Sequence, residues 1–375
     1  MKFVTTFIFA LCAWAGLAQS TIYDTISHGG LDRAYILYVP ASYSAGTPAP
    51  LLFNFHGYTS SSFEQMWYGD FRDIADTAGF IIAHPMGTPD GSAEPHWNIG
   101  FSGGTPDDVD FVDKLIDTIA ADYDLDPDKM YTCGMSNGGF FSYRLGCELG
   151  HRFAAIASVT GSIVPSTLGT CNTTHPMPMM QIHGTADAVV PYTGGAGWAE
   201  PIDDIMTTWA STLNTTVGPT VTTMPDIDPL DGSTVEKHEY LLGDSCVDAI
   251  HYKVIGGGHT WPGTAIPMAG VNYDIDASVE IWNFFRQYDI NGKIDCVTSV
   301  SDHEKPQLVV YPNPVKRILV VSADKLTTDK YQILSLQGKL VSSGTLENNR
   351  INVADLSKGI YILSIGESSV RFNKE

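Results

Sequence analysis

Gly134-Met135-Ser136-Asn137-Gly138 follows the apolar run Met130-Tyr131-Thr132-Cys133 and precedes the helix-like stretch Gly139 to Leu149. A serine flanked by glycines two residues away on either side, between a strand and a helix, reads as a sharp strand-to-helix turn that lifts the hydroxyl above a sheet. Such a backbone is strained and needs small neighbours, which Gly134 and Gly138 provide. The turn also sets Ser136 at a helix N-terminus, where free N–H groups favour developing negative charge. The spacing alone is a modest signal, since glycine and serine are common; the strand, turn and helix around it give it weight.

A serine hydroxyl is a weak nucleophile at neutral pH and needs a base, itself oriented by a buried acid. Where the nucleophile sits on such a turn, the acid and then the histidine follow it along the chain. The apolar run Met179 to His183 leads into Gly184-Thr185-Ala186-Asp187, and His251 to Ile255 leads into Gly256-Gly257-Gly258-His259. Asp187 and His259 therefore fall in loops at strand C-termini, the edge where parallel α/β sheets place their sites. Asp203, Asp204, Asp244 and Asp248 lack a preceding strand, and His151, His183, His238 and His251 fall within strands or turns. Ser136, Asp187 and His259 are the expected catalytic set. The N–H of Asn137, next to the serine, is the expected first oxyanion donor. The loop His56-Gly57-Tyr58 after the run Leu51 to Phe55 supplies the second, assigned to Tyr58 with Thr59 left open.

Working outward, short apolar runs at Tyr35 to Val39, Leu51 to Phe55, Phe80 to Ala83, Met130 to Cys133, Ala154 to Val159, Met179 to His183 and His251 to Ile255 alternate with helical patterns. One helix begins near Val109 and repeats Phe111, Val112, Leu115, Ile116 and Ile119; a last one carries Ile281, Trp282, Phe284 and Phe285. The pattern predicts the α/β-hydrolase fold, a mainly parallel doubly wound sheet, followed by a small all-β module. Asp107, Asp108 and Asp110 are read as first-turn acids favoured by the helix dipole. Asp226, Asp228 and Asp231 resemble a calcium loop only faintly, because Leu230 and Lys237 stand where oxygen ligands are needed. No cofactor and no metal are expected.

The 375 residues suggest a main domain with an appendage, and 43% hydrophobic against 17% charged residues suits a large core rather than a disordered chain. Met1-Lys2-Phe3 and the apolar run Val4 to Leu17 read as a secretory signal over residues 1–18, too short to cross a bilayer. No membrane span is expected in the mature protein. Residues 1–296 hold 11 Lys and Arg against 34 Asp and Glu, whereas 297–375 hold 10 against 8, which marks a boundary. The expected organisation is a catalytic domain over 19–296, a polar linker over 297–306 and a β module over 307–375. An acidic main domain repels phosphates and so excludes nucleic acid as a partner. Of the six cysteines, Cys12 leaves with the signal. Export permits the pairs Cys147–Cys171 and Cys246–Cys296, with Cys133 free and buried at a strand end.

His56-Gly57-Tyr58, Trp97-Asn98, Asp107-Asp108-Val109-Asp110-Phe111, Gly134-Met135-Ser136-Asn137-Gly138-Gly139, His183-Gly184-Thr185-Ala186-Asp187 and Gly256-Gly257-Gly258-His259-Thr260-Trp261-Pro262-Gly263 together resemble the secreted polyhydroxybutyrate depolymerase and feruloyl esterase family, α/β-hydrolases related to carbohydrate esterase family one. The resemblance spans roughly Ile22 to Tyr288 and implies the same triad. It implies a serine esterase acting on feruloyl or acetyl esters of cell-wall polysaccharide, or alternatively a polyester depolymerase; a silent binding protein on a hydrolase scaffold is the rival class. Trp97 and Trp261 are candidate flat walls for an aromatic acyl group or a sugar ring, with loop packing the competing role. Tyr311-Pro312-Asn313-Pro314, Gly338-Lys339 and Leu356-Ser357-Lys358-Gly359-Ile360-Tyr361 resemble a type IX secretion sorting domain, which implies secretion or surface display through that machinery.

Overall fold

The computed structural model describes residues 19–101, 106–296, 308–322, 328–335, 338–346, 348–366 and 368–375. The chain divides into two compact units, Met1–Cys296 and Val297–Glu375. The expected signal segment and linker lie outside the described residues.

Ten strands form the sheet of the first unit: β1 (Ser20–His28), β2 (Leu31–Val39), β3 (Ala49–Phe55), β4 (Ile81–Pro85), β5 (Leu125–Met135), β6 (Ala155–Val159), β7 (Met179–Gly184), β8 (Val217–Thr223), β9 (Thr234–Leu241) and β10 (Ala249–Ile255). Their spatial order is β1-β2-β4-β3-β5-β6-β7-β10-β9-β8. The six from β4 to β10 run parallel, and an antiparallel pair closes each edge. β6 and β7 are buried at every position and β3 at all but Pro50, which requires cover on both faces and explains their unbroken apolar runs. The cover comes from helices α1 (Ser62–Tyr68), α2 (Arg72–Ala78), α3 (Asp108–Asp122), α4 (Asn137–Glu148), α5 (Pro165–Thr170), α6 (Ile202–Thr212) and α7 (Ala277–Phe285).

Parallel register brings the C-terminal ends of β5, β6, β7 and β10 to one edge: Met135 pairs with Val159, Val159 with Ile182 and Val254 with Gly184. The loops after β5, β7 and β10 carry Ser136, Asp187 and His259. Cys147–Cys171 and Cys246–Cys296 are disulfides, and Cys133 is free and buried. The acids at the start of α3 do more than complement a dipole. Asp107 caps Asp110 N–H, while Asp108 is fully buried and bonds Arg33 Nη2 at 2.7 Å.

The second unit holds a three-stranded sheet, Val309–Tyr311, Ile318–Ser322 and Arg350–Asn352, and a four-stranded one ordered Leu340–Thr345, Lys330–Ser335, Gly359–Ile365, Ser368–Lys374. Leu319, Ile333, Ile351, Leu363 and Phe372 are among its buried core.

Candidate active site

Ser136 adopts φ 53°, ψ −119° between β5 and α4, a left-handed conformation that a non-glycine residue holds only where its surroundings over-determine it. They do so here. Ser136 N–H extends the ladder to Val159 O at 2.8 Å, and Ser136 O accepts Phe140 N–H at 3.0 Å. A Cβ on Gly138 would stand 2.3 Å from Phe55 O, and one on Gly134 2.6 Å from the Gly138 carbonyl carbon. The two glycines let β3, the turn and α4 meet at backbone distance.

Asp187 is buried, and each carboxylate oxygen has a defined task. Oδ1 accepts Val189 N–H at 2.8 Å and Val190 N–H at 2.9 Å; Oδ2 accepts His259 Nδ1–H at 2.7 Å. Burial pushes its pKa up, but the hydrogen bond and charge of His259 and the two valine amides outweigh that and leave it below the usual carboxylate value. With the proton on Nδ1, His259 keeps a free lone pair at Nε2, the form a general base requires. Among the described residues Ser136 Oγ makes no hydrogen bond to His259; this contact is often long in a free enzyme and tightens with substrate.

A second imidazole stands behind the acid. His183 Nδ1 accepts Gln181 Nε2 at 3.0 Å, so its proton lies on Nε2, which donates to Val190 O at 2.9 Å and faces Asp187 Oδ2 at 3.5 Å. Burial lowers the His183 pKa, so it acts as a neutral donor. It closes the loop whose amides hold Asp187.

The turn at Gly57–Tyr58 is arranged by a third histidine. Buried His56 accepts Gly87 N–H at Nε2 (2.9 Å) and therefore donates from Nδ1 to Gly57 O (2.7 Å). Burial lowers its pKa to about 4, so this neutral tautomer persists at neutral pH. Ser60 N–H also donates to Gly57 O, at 3.2 Å. In a trans peptide C=O and N–H point oppositely, so fixing Gly57 O aims Tyr58 N–H the other way. Thr59 N–H donates to Pro95 O at 2.9 Å, while Tyr58 N–H and Asn137 N–H have no acceptor among the described residues. A Cβ on Gly57 would lie 3.4 Å from Ser136 Cβ, so the turn rests against the serine.

The Asn137 side chain clips the neighbouring loop, accepting Trp97 N–H at 2.7 Å and donating to Trp97 O at 3.1 Å. Asn98 N–H donates to Asp108 at 2.7 Å, and Arg144 of α4 donates to Asn98 O at 2.6 Å. The Trp97 and Trp261 indoles are not open walls, contrary to the sequence expectation. Trp97 is 0% exposed, stacked on Phe141 and bonded through Nε1 to His56 O. Trp261 is 1% exposed, against Phe71 and bonded to Ser278 Oγ. Both secure loops from within.

The Esterase family model matches residues 29–246, more than half of the chain, with Ser136 and Asp187 inside the match and His259 beyond it. The chain belongs to this esterase family. A second model, a secretion system C-terminal sorting domain, matches residues 309–374 and marks the esterase for secretion or the cell surface. No helix among the described residues is long and apolar enough to cross a membrane. The esterase is 27% identical over 276 residues to the bifunctional acetylxylan esterase/xylanase XynS20E of Neocallimastix patriciarum, covering 73% of this chain and 36% of that protein. It is 32% identical over 167 residues to feruloyl esterase B of Piromyces equi, covering 44% of this chain and 31% of that protein. It thus spans about a third of the length of either relative. The acetyl xylan esterase from Aspergillus awamori shares its fold, with TM-score 0.50 and 14% identity over 71% of this chain and 99% of that one.

Proposed function

We propose that this esterase is a serine hydrolase acting on feruloyl or acetyl esters of plant cell-wall polysaccharide. Ser136 Oγ attacks the ester carbonyl carbon while His259 Nε2 takes its proton. Asp187 holds the imidazolium, and the N–H groups of Tyr58 and Asn137 hold the oxyanion. Collapse expels the alcohol, which leaves with the proton from His259, and water enters by the same route in reverse to release the acid and restore Ser136. The observation that carries this reading is the 2.7 Å His259–Asp187 hydrogen bond on the sheet edge where Ser136 holds its left-handed turn. The acyl assignment draws on the names of the two relatives, and the polysaccharide on that of the acetylxylan esterase/xylanase. Type IX export through the terminal module belongs to the same reading and draws on the sorting-domain match.

Initial rates on methyl ferulate, acetylated xylan and a poly(3-hydroxybutyrate) suspension, for the wild type and Ser136→Ala, test it. The expected result is hydrolysis of at least one soluble ester and its loss in the variant by several orders of magnitude. Clearing of the polyester alone would replace the cell-wall assignment with the depolymerase one. Near wild-type activity in Ser136→Ala would remove the serine mechanism.

A further inference from the structure

Helix α1 starts directly after the oxyanion turn and directs two aromatic rings outward: Phe63 is 51% and Trp67 47% exposed. Four residues apart, they share one helix face, with ring centroids 6.4 Å apart. Neither is loose. The Arg72 guanidinium lies 3.8 Å over the Trp67 ring, and Asp70 grips Arg72 at Nε (2.9 Å) and Nη2 (2.6 Å). Phe63 also lines an open groove of about 400 Å³ with Tyr23, Asp24, Tyr35 and Ser62, and Tyr23 is 63% exposed.

Exposed aromatic rings beside the Asp70 carboxylate that Arg72 orients match a sugar chain, whose C–H faces pack on rings while its hydroxyls seek acceptors. The surface adjoins the site. Ser60 Oγ bonds Glu64 in the first turn of α1, and at the other end Trp261 N–H donates to Tyr68 Oη at 3.1 Å, two residues past His259. The 34 acids against 11 cations over residues 1–296 repel an anionic polymer and leave a neutral one.

We propose that Tyr23, Phe63 and Trp67 form a docking surface for the neutral sugar backbone of a hemicellulose, outside the catalytic centre, which presents esterified branches to Ser136. The inference rests on the esterase reading above. The test uses the full-length protein and the variants Phe63→Ala/Trp67→Ala and Trp67→Phe. Retention on insoluble xylan and on polyhydroxybutyrate granules, kcat/KM for acetylated xylan and for p-nitrophenyl acetate, and sedimentation are measured. The double alanine variant is expected to lose about tenfold in xylan retention and in kcat/KM for acetylated xylan, to stay within about twofold of wild type on p-nitrophenyl acetate, and Trp67→Phe to keep most of both. Unchanged xylan retention overturns the proposal. So does retention on polyester granules in place of xylan, or a dimer that the alanines dissociate. A wild type inert on p-nitrophenyl acetate would remove the serine esterase reading, while xylan retention would still decide the docking surface.

Discussion

Asp187→Asn tests the wiring of the site, because the surroundings dictate how the amide must sit. Oδ1 of the carboxylate receives two backbone donors, Val189 N–H and Val190 N–H, and Oδ2 receives His259 Nδ1–H. An amide that turned its NH2 toward the valines would set donor against donor twice. Its oxygen therefore stays with them, and the NH2 faces His259. The imidazole must then accept at Nδ1, carry its proton on Nε2 and show Ser136 a donor where the reaction needs a lone pair. Forcing that tautomer costs about 10⁴ in kcat where it has been isolated in a serine triad, or about 5 kcal/mol of barrier. Initial rates on p-nitrophenyl acetate at neutral pH, with near-ultraviolet circular dichroism to show that the fold persists, read the effect. A loss smaller than tenfold in a folded variant would refute the assignment of Asp187 as the acid.

Three further outcomes follow from the same contacts. His183→Phe removes the N–H that closes the Asp187 loop and should lower kcat by about a hundredfold with KM little changed, since only positioning is lost; a matching rise in KM with kcat intact would give His183 a substrate role instead. The Cys147–Cys171 bridge spans a sequence separation of 24, so chain entropy assigns it about 3.5 kcal/mol, and the double serine variant should melt several degrees lower by calorimetry; an unchanged Tm would contradict this. Burial lowers the pKa of His56 to about 4 and of His84 to about 3, so the unfolded chain binds protons more readily below pH 6.5. Stability should therefore fall by up to about 1.4 kcal/mol per pH unit for each as pH drops from 6.5 toward 4, with lowered Asp187 adding to the loss only as pH falls below its ordinary value of 3.8. Urea midpoints followed by tryptophan fluorescence check this in the first unit, since no Trp lies beyond Trp282; a midpoint constant down to pH 4.5 would contradict it.

What could be read from the chain and what could not differ in the range of the interactions involved. The serine turn was legible because strand, glycines and helix are contiguous, and the central strands because burial on both faces leaves unbroken apolar runs. β8 was not legible: every one of its residues is exposed, so no hydrophobic period marks it. β1 and the tail strand Ser368–Lys374 are mixed in the same way. The tautomer of His56 depends on Gly87 N–H, the engagement of Thr59 N–H on Pro95 O, and the burial of Trp97 on Phe141. Each partner lies tens of residues away, and nothing local announces it. Asp108 looked like a dipole acid because its partner Arg33 sits 75 residues earlier on another element. Nothing in the sequence around Phe63 and Trp67 marks their shared face as turned to solvent, which only the fold shows.

The most direct test of the central claim is covalent titration of the nucleophile. Incubating the full-length protein with a fluorophosphonate and mapping the adduct by mass spectrometry should give one equivalent of label, on Ser136 Oγ, with loss of esterase activity in proportion and no label in Ser136→Ala. Label on another residue, or full activity after stoichiometric labelling, would contradict the account.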